Sequence, residues 1–344
     1  MTRMMQAVRI EAPGRVSLTQ IPAPLPAPGE VRLRLTHVGY CGSDLASYQG
    51  RNPMVSFPRI PGHEIAAIVD SPGAGVGDLA PGQSVTVLPY FNCGTCVACR
   101  KGRPNACRDN QTMGVQRDGA MSEYVCVPRR QVIPVEGLRQ RDLALIEPIA
   151  VGFHAAARAN IQPGESVAVL GTGMIGLGVI LGARARGARV IAVDITDGKL
   201  ELAKRLGAET GVNAAREDTV ARLNALTEDD GPAVIIEAAG TAATFRQAVD
   251  AVAPCGRVVY VGYTKTEVAY ETRLFPMKEI EIYGSRGATV TDFDAVIAYL
   301  RAHPDLAELI VTRMARLDAA PRAMRDWADD PGTVTKIVID MGVM

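Results

Sequence analysis

The sequence predicts an α/β protein of two domains, a doubly wound parallel sheet joined to a β-rich partner, and three observations carry that prediction. The chain has 344 residues, about twice the length of a common single domain. Its texture changes at Glu165, from short apolar runs broken by Gly and Pro to alternating strand-like and helix-like segments. The first strand after that change runs straight into GTGMIG, residues 171–176, a glycine pattern suited to a strand-to-helix turn.

Residues 1–150 contain the runs VRLRLTHVGY, EIAAIVD, SVTVL and EYVCVP, separated by PAPLPAPGE, SPGAGVGDLAPG and a cysteine-rich loop. Such spacing predicts irregular, mostly antiparallel strands. GAGVG at residues 73–77 is read as a loop, because Pro81 and no helical pattern follows it. Beyond Glu165 come five β-rich runs, SVAVLG, ARVIAVD, AVIIEAAG, RVVYVG and EIEIYG, with helical patterns such as MIGLGVILGARARG and GKLELAKRLGA between them. Alternation of this kind means βαβ units, hence a parallel sheet covered on both faces. After Gly284 the segments DFDAVIAYLRAH and APRAMRDWADD are amphipathic, and TKIVIDM reads as a closing strand. The expected domains are therefore residues 1–150 with 287–344, and residues 151–286.

Apolar residues make up 47% and charged residues 22% of the chain, enough to bury a core in each half and too apolar for disorder. Lys plus Arg number 37 and Asp plus Glu number 37, so no net field draws the protein to nucleic acid or to an anionic membrane. The opening MTRMMQAVRIEAPG has no apolar core of a secretory signal, which makes the cytoplasm the expected location. Ser166–Ala183 is 18 residues without a charge, yet it contains five glycines. A βα dinucleotide-binding unit accounts for it better than a membrane span.

In that unit Gly171 permits the tight turn, Gly173 lets backbone approach a pyrophosphate, and Gly176 lets helix and strand pack closely. Met174 and Ile175 open the helix whose N-terminus faces the phosphates. Asp194 ends the next strand, 18 residues after Gly176, where a carboxylate accepts hydrogen bonds from a ribose and repels a 2′-phosphate. No arginine follows it directly, so NAD is expected over NADP.

Cys93, Cys96, Cys99 and Cys107 form CxxCxxC followed by a fourth cysteine. Four thiolates at this spacing suit a closed, structural Zn²⁺ site. Disulfides and an iron–sulfur cluster use the same residue type, the first disfavoured in a reducing compartment. Elsewhere Cys41 in GYCGSD, His63 and Glu64 in PGHE, and Glu147 in IEPIAVG are chemically able to make an open, catalytic zinc site. Spacing alone does not bring them together.

GYCGSD, PGHE, the four-cysteine loop, IEPIAVG, GTGMIG and VDITDGK occur in the order found in the zinc-dependent medium-chain dehydrogenase/reductase family, which the whole chain resembles. It is most similar to the polyol, sugar-acid and threonine dehydrogenase branch, which has glutamate where Glu147 stands. NPMVSFPRIPGHE and GVQRDGAMSEY resemble oxidisers of sugar acids such as L-galactonate. The resemblance implies a GroES-like catalytic domain beside the Rossmann domain, and two zinc ions per chain. Cys41 and His63 become catalytic zinc ligands, with Glu64 and Glu147 both candidates for the carboxylate position. Ser43 matches the hydroxyl that relays the substrate proton, Asp44 the acid that orients the histidine, and Lys199 and Arg286 match cofactor contacts. A histidine common three residues beyond Ser43 is replaced by Ala46, leaving Ser47, Tyr48, a cofactor hydroxyl or water to continue the relay. The implied reaction is oxidation of a secondary alcohol of a sugar acid, sugar or polyol to a ketone, with hydride passed to NAD⁺, in a homodimer or homotetramer. Threonine or simple alcohol oxidation is the rival activity. A non-catalytic NAD-binding protein is the rival of another class, and retention of Cys41 and His63 argues against it.

Overall fold

The computed structural model describes residues 3–342. They fall into two compact units, residues 3–147 with 289–342, and Pro148–Ala288.

The second unit is built on six parallel strands. From one edge to the other they are Thr210–Asn213, Arg189–Asp194, Ser166–Leu170, Val234–Glu237, Arg257–Tyr260 and Glu281–Gly284. In chain order this is 3-2-1-4-5-6, the doubly wound dinucleotide-binding arrangement. Val167, Ala168, Val169 and Leu170 are all fully buried, as a central strand with helices on both faces requires. Five of the strands are the five runs expected. The sixth, Thr210–Asn213, was not anticipated because TGVN carries a single large apolar residue, Val212. It forms because its backbone completes the ladder beside Ile191–Asp194.

The first unit holds a seven-stranded, largely antiparallel sheet. Its axis is Glu30–Tyr40, which pairs with Glu64–Pro72 on one side and with Tyr124–Pro128 and Lys336–Asp340 on the other. The expected runs supply these strands, but TKIVIDM does not close the sheet: it lies between Tyr40–His37 and Val311–Arg316, an edge strand that no expected run covered. A two-stranded hairpin, Met4–Ala12 with Arg15–Pro22, precedes them. Val31, Leu33, Leu35, Ile65, Ala67, Val85, Ile337 and Ile339 make its core. Along Glu30–Leu35 buried apolar residues alternate with more exposed polar ones, so a one-residue slip would expose Val31, Leu33 and Leu35 together. That rigidity matters because Tyr40 and Glu64, at adjoining strand ends, carry the site. This is the GroES-like half, and no described helix is long and apolar enough to cross a membrane.

Candidate active site and metal centres

The catalytic set is assembled at the end of the strand Glu30–Tyr40. Cys41 follows it and caps the short helix Gly42–Tyr48. Asp44, almost fully buried, accepts from the Cys41 amide at 2.9 Å and from the Gly62 amide at 3.2 Å. The carboxylate thus clamps the loop bearing Cys41 to the loop bearing His63 by charge-assisted bonds. Glu64 starts the next strand in register with Gly39. A Cβ on Gly39 would lie 1.9 Å from Glu64 Oε2, so only glycine leaves room for that carboxylate.

One ligand atom each of Cys41, His63 and Glu64 lies within 4.8 Å of the others. His63 Nδ1, Glu64 Oε2 and Ser43 Oγ are buried without a hydrogen-bond partner, an expensive arrangement unless another group satisfies them. Burial would depress the His63 pKa, but Cys41, Asp44 and Glu147 together hold it well above the ordinary value. The anionic surroundings demand positive charge at this point, and a divalent cation with S, N and O ligands supplies it. The donor set therefore fits zinc.

The two candidate carboxylates have different partners. Glu64 Oε1 accepts from Lys336 Nζ, which also donates to the Tyr40 carbonyl at 3.1 Å. Both side chains of this ion pair are essentially inaccessible. Burial works against the charge on Lys336, and Glu64, Cys41 and Glu147 outweigh it, raising its pKa. Glu147, in the first turn of the helix Ile146–Arg158, accepts from the Tyr90 hydroxyl. Burial raises the Glu147 pKa, opposed by His63, Tyr90 and Lys336. Glu64, rather than Glu147, shares the compact set with Cys41 and His63.

Ser43 Oγ lies two residues from Cys41 and is free of partners. Ser47 is committed elsewhere, donating to the Ser43 carbonyl at 2.7 Å and accepting from Asn52 at 3.2 Å. No hydrogen bond joins its hydroxyl to Ser43 Oγ, which has no partner. Arg117 lies 3.7 Å from the Phe91 ring centroid and lines a cavity of about 410 Å³ to which none of Cys41, Ser43, His63, Glu64 or Glu147 contributes.

The four-cysteine loop converges as its spacing implies. Sγ–Sγ separations are 3.6 Å for Cys96–Cys99, 3.8 Å for Cys96–Cys107 and 3.5 Å for Cys93–Cys107. Four sulfurs at about 2.3 Å from one tetrahedral ion lie about 3.8 Å apart. The separations match a single ion, exceed a disulfide bond and are too short to surround a cluster. Backbone N–H groups point at Cys93 and Cys107. Donors of this kind, with Cys99 first, bring the Cys96 thiol down to about 6.

In the second unit Gly171 has φ +92° and would clash with Ala239 if it bore a Cβ. A Cβ on Gly176 would meet the Gly171 carbonyl at 1.9 Å, whereas none of the described atoms lies within 4 Å of one on Gly173. The open glycine is the one expected to face a ligand. Met174 begins the helix Met174–Arg184 with Ile175 beside it. Asp194 is already occupied: Oδ2 accepts from the Thr172 amide and hydroxyl, both at 2.9 Å, and Oδ1 from the amides of Ile195 and Thr196. Lys199 is half-buried in the first turn of Asp197–Arg205, and Arg286 is exposed just past Gly284. Sequence reasoning missed Thr172 and also Glu237, whose Oε1 accepts from Ala239, Gly240 and Thr244 and shapes the turn facing Gly171. It missed Lys336 and Tyr90 as well.

The alcohol dehydrogenase GroES-like domain family matches residues 27–137, and the zinc-binding dehydrogenase family matches residues 175–302. The L-galactonate-5-dehydrogenase of Escherichia coli K12 is 35% identical over 309 residues, 90% of this chain and 91% of that protein. A zinc-binding dehydrogenase of Sinorhizobium meliloti 1021, solved bound to NADP, superposes with a TM-score of 0.90 at 32% identity, covering 98% of this chain and 99% of that one. An alcohol dehydrogenase of E. coli CFT073, solved with NADH, gives 0.90 at 29% identity over 98% and 99% of the two chains. With the zinc-compatible donor sets and the dinucleotide fold in hand, the chain belongs to the zinc-dependent medium-chain dehydrogenase/reductase family, in its polyol and sugar-acid branch, and is a zinc alcohol dehydrogenase that uses a nicotinamide dinucleotide.

Proposed function

We propose that the protein oxidises a secondary alcohol of a sugar acid, sugar or polyol to a ketone and passes the hydride to NAD⁺. The observation that carries this reading is the convergence of Cys41, His63 and Glu64 ligand atoms within 4.8 Å of one another, with Ser43 Oγ buried and unpartnered nearby in the chain. Cys41, His63 and Glu64 would hold the catalytic zinc, and Cys93, Cys96, Cys99 and Cys107 a structural one. When bound, the zinc supplies a Lewis acid for the substrate oxygen and the dinucleotide supplies the hydride acceptor.

The chain's own residues do the rest. Ser43 Oγ would accept the proton of the substrate hydroxyl while its own proton passes on to a cofactor ribose hydroxyl or to water, and the hydride leaves to the dinucleotide, so the alcohol loses one hydride and one proton. Asp44 keeps the Cys41 and His63 loops at fixed spacing. Lys336 occupies Glu64 Oε1, which leaves the unpartnered Oε2 as the atom that would hold a metal. Gly171, Gly173 and Gly176 with the helix opened by Met174 and Ile175 would hold the pyrophosphate, and Lys199 and Arg286 would lie along the dinucleotide. Asp194 supports NAD⁺ over NADP⁺, since its carboxylate repels a 2′-phosphate. The sugar-acid assignment draws on the L-galactonate-5-dehydrogenase relative and on the polar segment SDLASYQGRN beside Cys41. A polyhydroxylated small substrate, a cytoplasmic location and a homo-oligomer complete the reading.

Zinc analysis of purified wild type and two variants tests it. Wild type should contain about two zinc ions per chain. Cys41→Ser should remain folded, lose one zinc and lose activity, whereas Cys96→Ser should chiefly impair folding. Two zinc ions retained in Cys41→Ser would refute the site.

A further inference from the structure

We propose that Tyr90 is a positioning residue that holds Glu147 away from direct ligation of the catalytic metal and ties that carboxylate to the four-cysteine lobe. The inference rests on the zinc reading above and concerns a residue that no motif in the chain marks.

Tyr90 and Glu147 are both buried, with 8% and 4% of their surface exposed. The phenol donates to Glu147 Oε1 across 57 residues of sequence. Burial pushes the Tyr90 pKa well above its usual value, with Glu147, Cys41 and Glu64 adding to the effect. The hydroxyl is thus a committed donor facing an anionic neighbourhood. Glu147 shares that neighbourhood, because His63, Glu64 and Lys336 all influence its ionisation. Yet Glu147 is absent from the compact set of Cys41, His63 and Glu64. The only side-chain hydrogen bond described for its carboxylate is the one from Tyr90.

Tyr90 is itself held rigidly. It lies in the short strand Tyr90–Phe91, paired with Gln111–Thr112, and its carbonyl accepts from buried Gln131 at 2.8 Å. Cys93 follows three residues later. The same stretch of backbone therefore carries a thiolate of the structural centre and the donor that fixes Glu147. Orientation of a carboxylate by a partner outside the ligand set is a recognised means of tuning a metal site. Without the phenol, a buried carboxylate loses its donor and moves to the nearest strong positive centre. A metal held by Cys41, His63 and Glu64 would offer such a centre, and Glu147 drawn to it would take the position that substrate needs.

The test uses zinc-loaded Tyr90→Phe, which removes one hydroxyl and preserves the ring, beside Glu147→Gln, the double variant and Cys41→Ser. Release of the more labile zinc to a chelator should slow at least threefold in Tyr90→Phe, with the second zinc unaffected. Its kcat should fall about tenfold, with KM for NAD⁺ unchanged. Because Tyr90 acts through Glu147, adding Tyr90→Phe to Glu147→Gln should change neither quantity further. Unchanged or faster release, or additive effects in the double variant, would overturn the proposal while leaving the zinc site standing, provided Cys41→Ser has lost one zinc. If Cys41→Ser retains both, the zinc reading falls and this inference falls with it.

Discussion

Lys336 is a buried charge paired with Glu64, a candidate zinc ligand. It is 2% exposed, and among the described residues its ammonium pairs with the Glu64 carboxylate and donates to the Tyr40 carbonyl. Breaking one side of a buried pair leaves the other charge unpaired, at about 3–5 kcal/mol. Lys336→Met should therefore lower unfolding stability by that order, and Lys336→Arg should recover part of it. Equal stability of Lys336→Met and wild type in denaturant titrations would show that Glu64 does not need the lysine. Neither Lys336 nor Tyr90 was legible in the sequence. Each is a single polar residue outside any motif, and their partners lie 272 and 57 positions away. Cys41, Ser43, His63, Glu64 and Glu147 were visible as motif residues. The choice between the carboxylates was not, because it depends on which ligand atom the fold brings within reach of Cys41 and His63.

At the level of elements, the glycine turn separates what folding needs from what a ligand needs. Gly176 has a carbonyl where its Cβ would be, and Gly173 has open space. Gly176→Ala should lower the melting temperature of the protein markedly, because backbone would have to move. Gly173→Ala should melt like wild type and bind NAD⁺ at least tenfold more weakly, since a methyl group would stand where the pyrophosphate approaches. Fluorescence titration and thermal melts read the two effects separately. Equal loss of stability in both variants would refute the assignment of Gly173 to the ligand. The strands were legible where apolar residues cluster, as in SVAVLG and RVIAVD. Thr210–Asn213 was not, because an edge strand buries little and is defined by its pairing with Ile191–Asp194. Antiparallel runs in the first unit could be listed from sequence but not ordered, since Lys336–Asp340 and Tyr124–Pro128 both join the same edge of Glu30–Tyr40.

For the whole molecule, the sheet edges bear on assembly. Glu281–Gly284 is the outer strand of the parallel sheet, paired only with Arg257–Tyr260 among the described residues. Ile282 is 44% exposed on it, and Met277 just before it is 74% exposed. An uncovered edge with exposed apolar side chains is a template for a second chain. Sedimentation at micromolar concentration should show a dimer or tetramer, and Ile282→Lys should shift it toward smaller species. A monomeric wild type would contradict that expectation.

The measurement that most directly tests the central claim is the steady-state rate of nicotinamide reduction by zinc-loaded enzyme with L-galactonate, sorbitol, L-threonine and ethanol, each with NAD⁺ and NADP⁺. A pocket built for hydroxyl groups leaves about 1–3 kcal/mol of unpaired polar surface for each one a substrate lacks. The account predicts that the sugar acid or the polyol exceeds ethanol by about a thousandfold or more in kcat/KM. It also predicts NAD⁺ over NADP⁺ by at least tenfold, about 1.4 kcal/mol. Equal turnover of ethanol and the polyhydroxylated substrates, or a preference for NADP⁺, would contradict it.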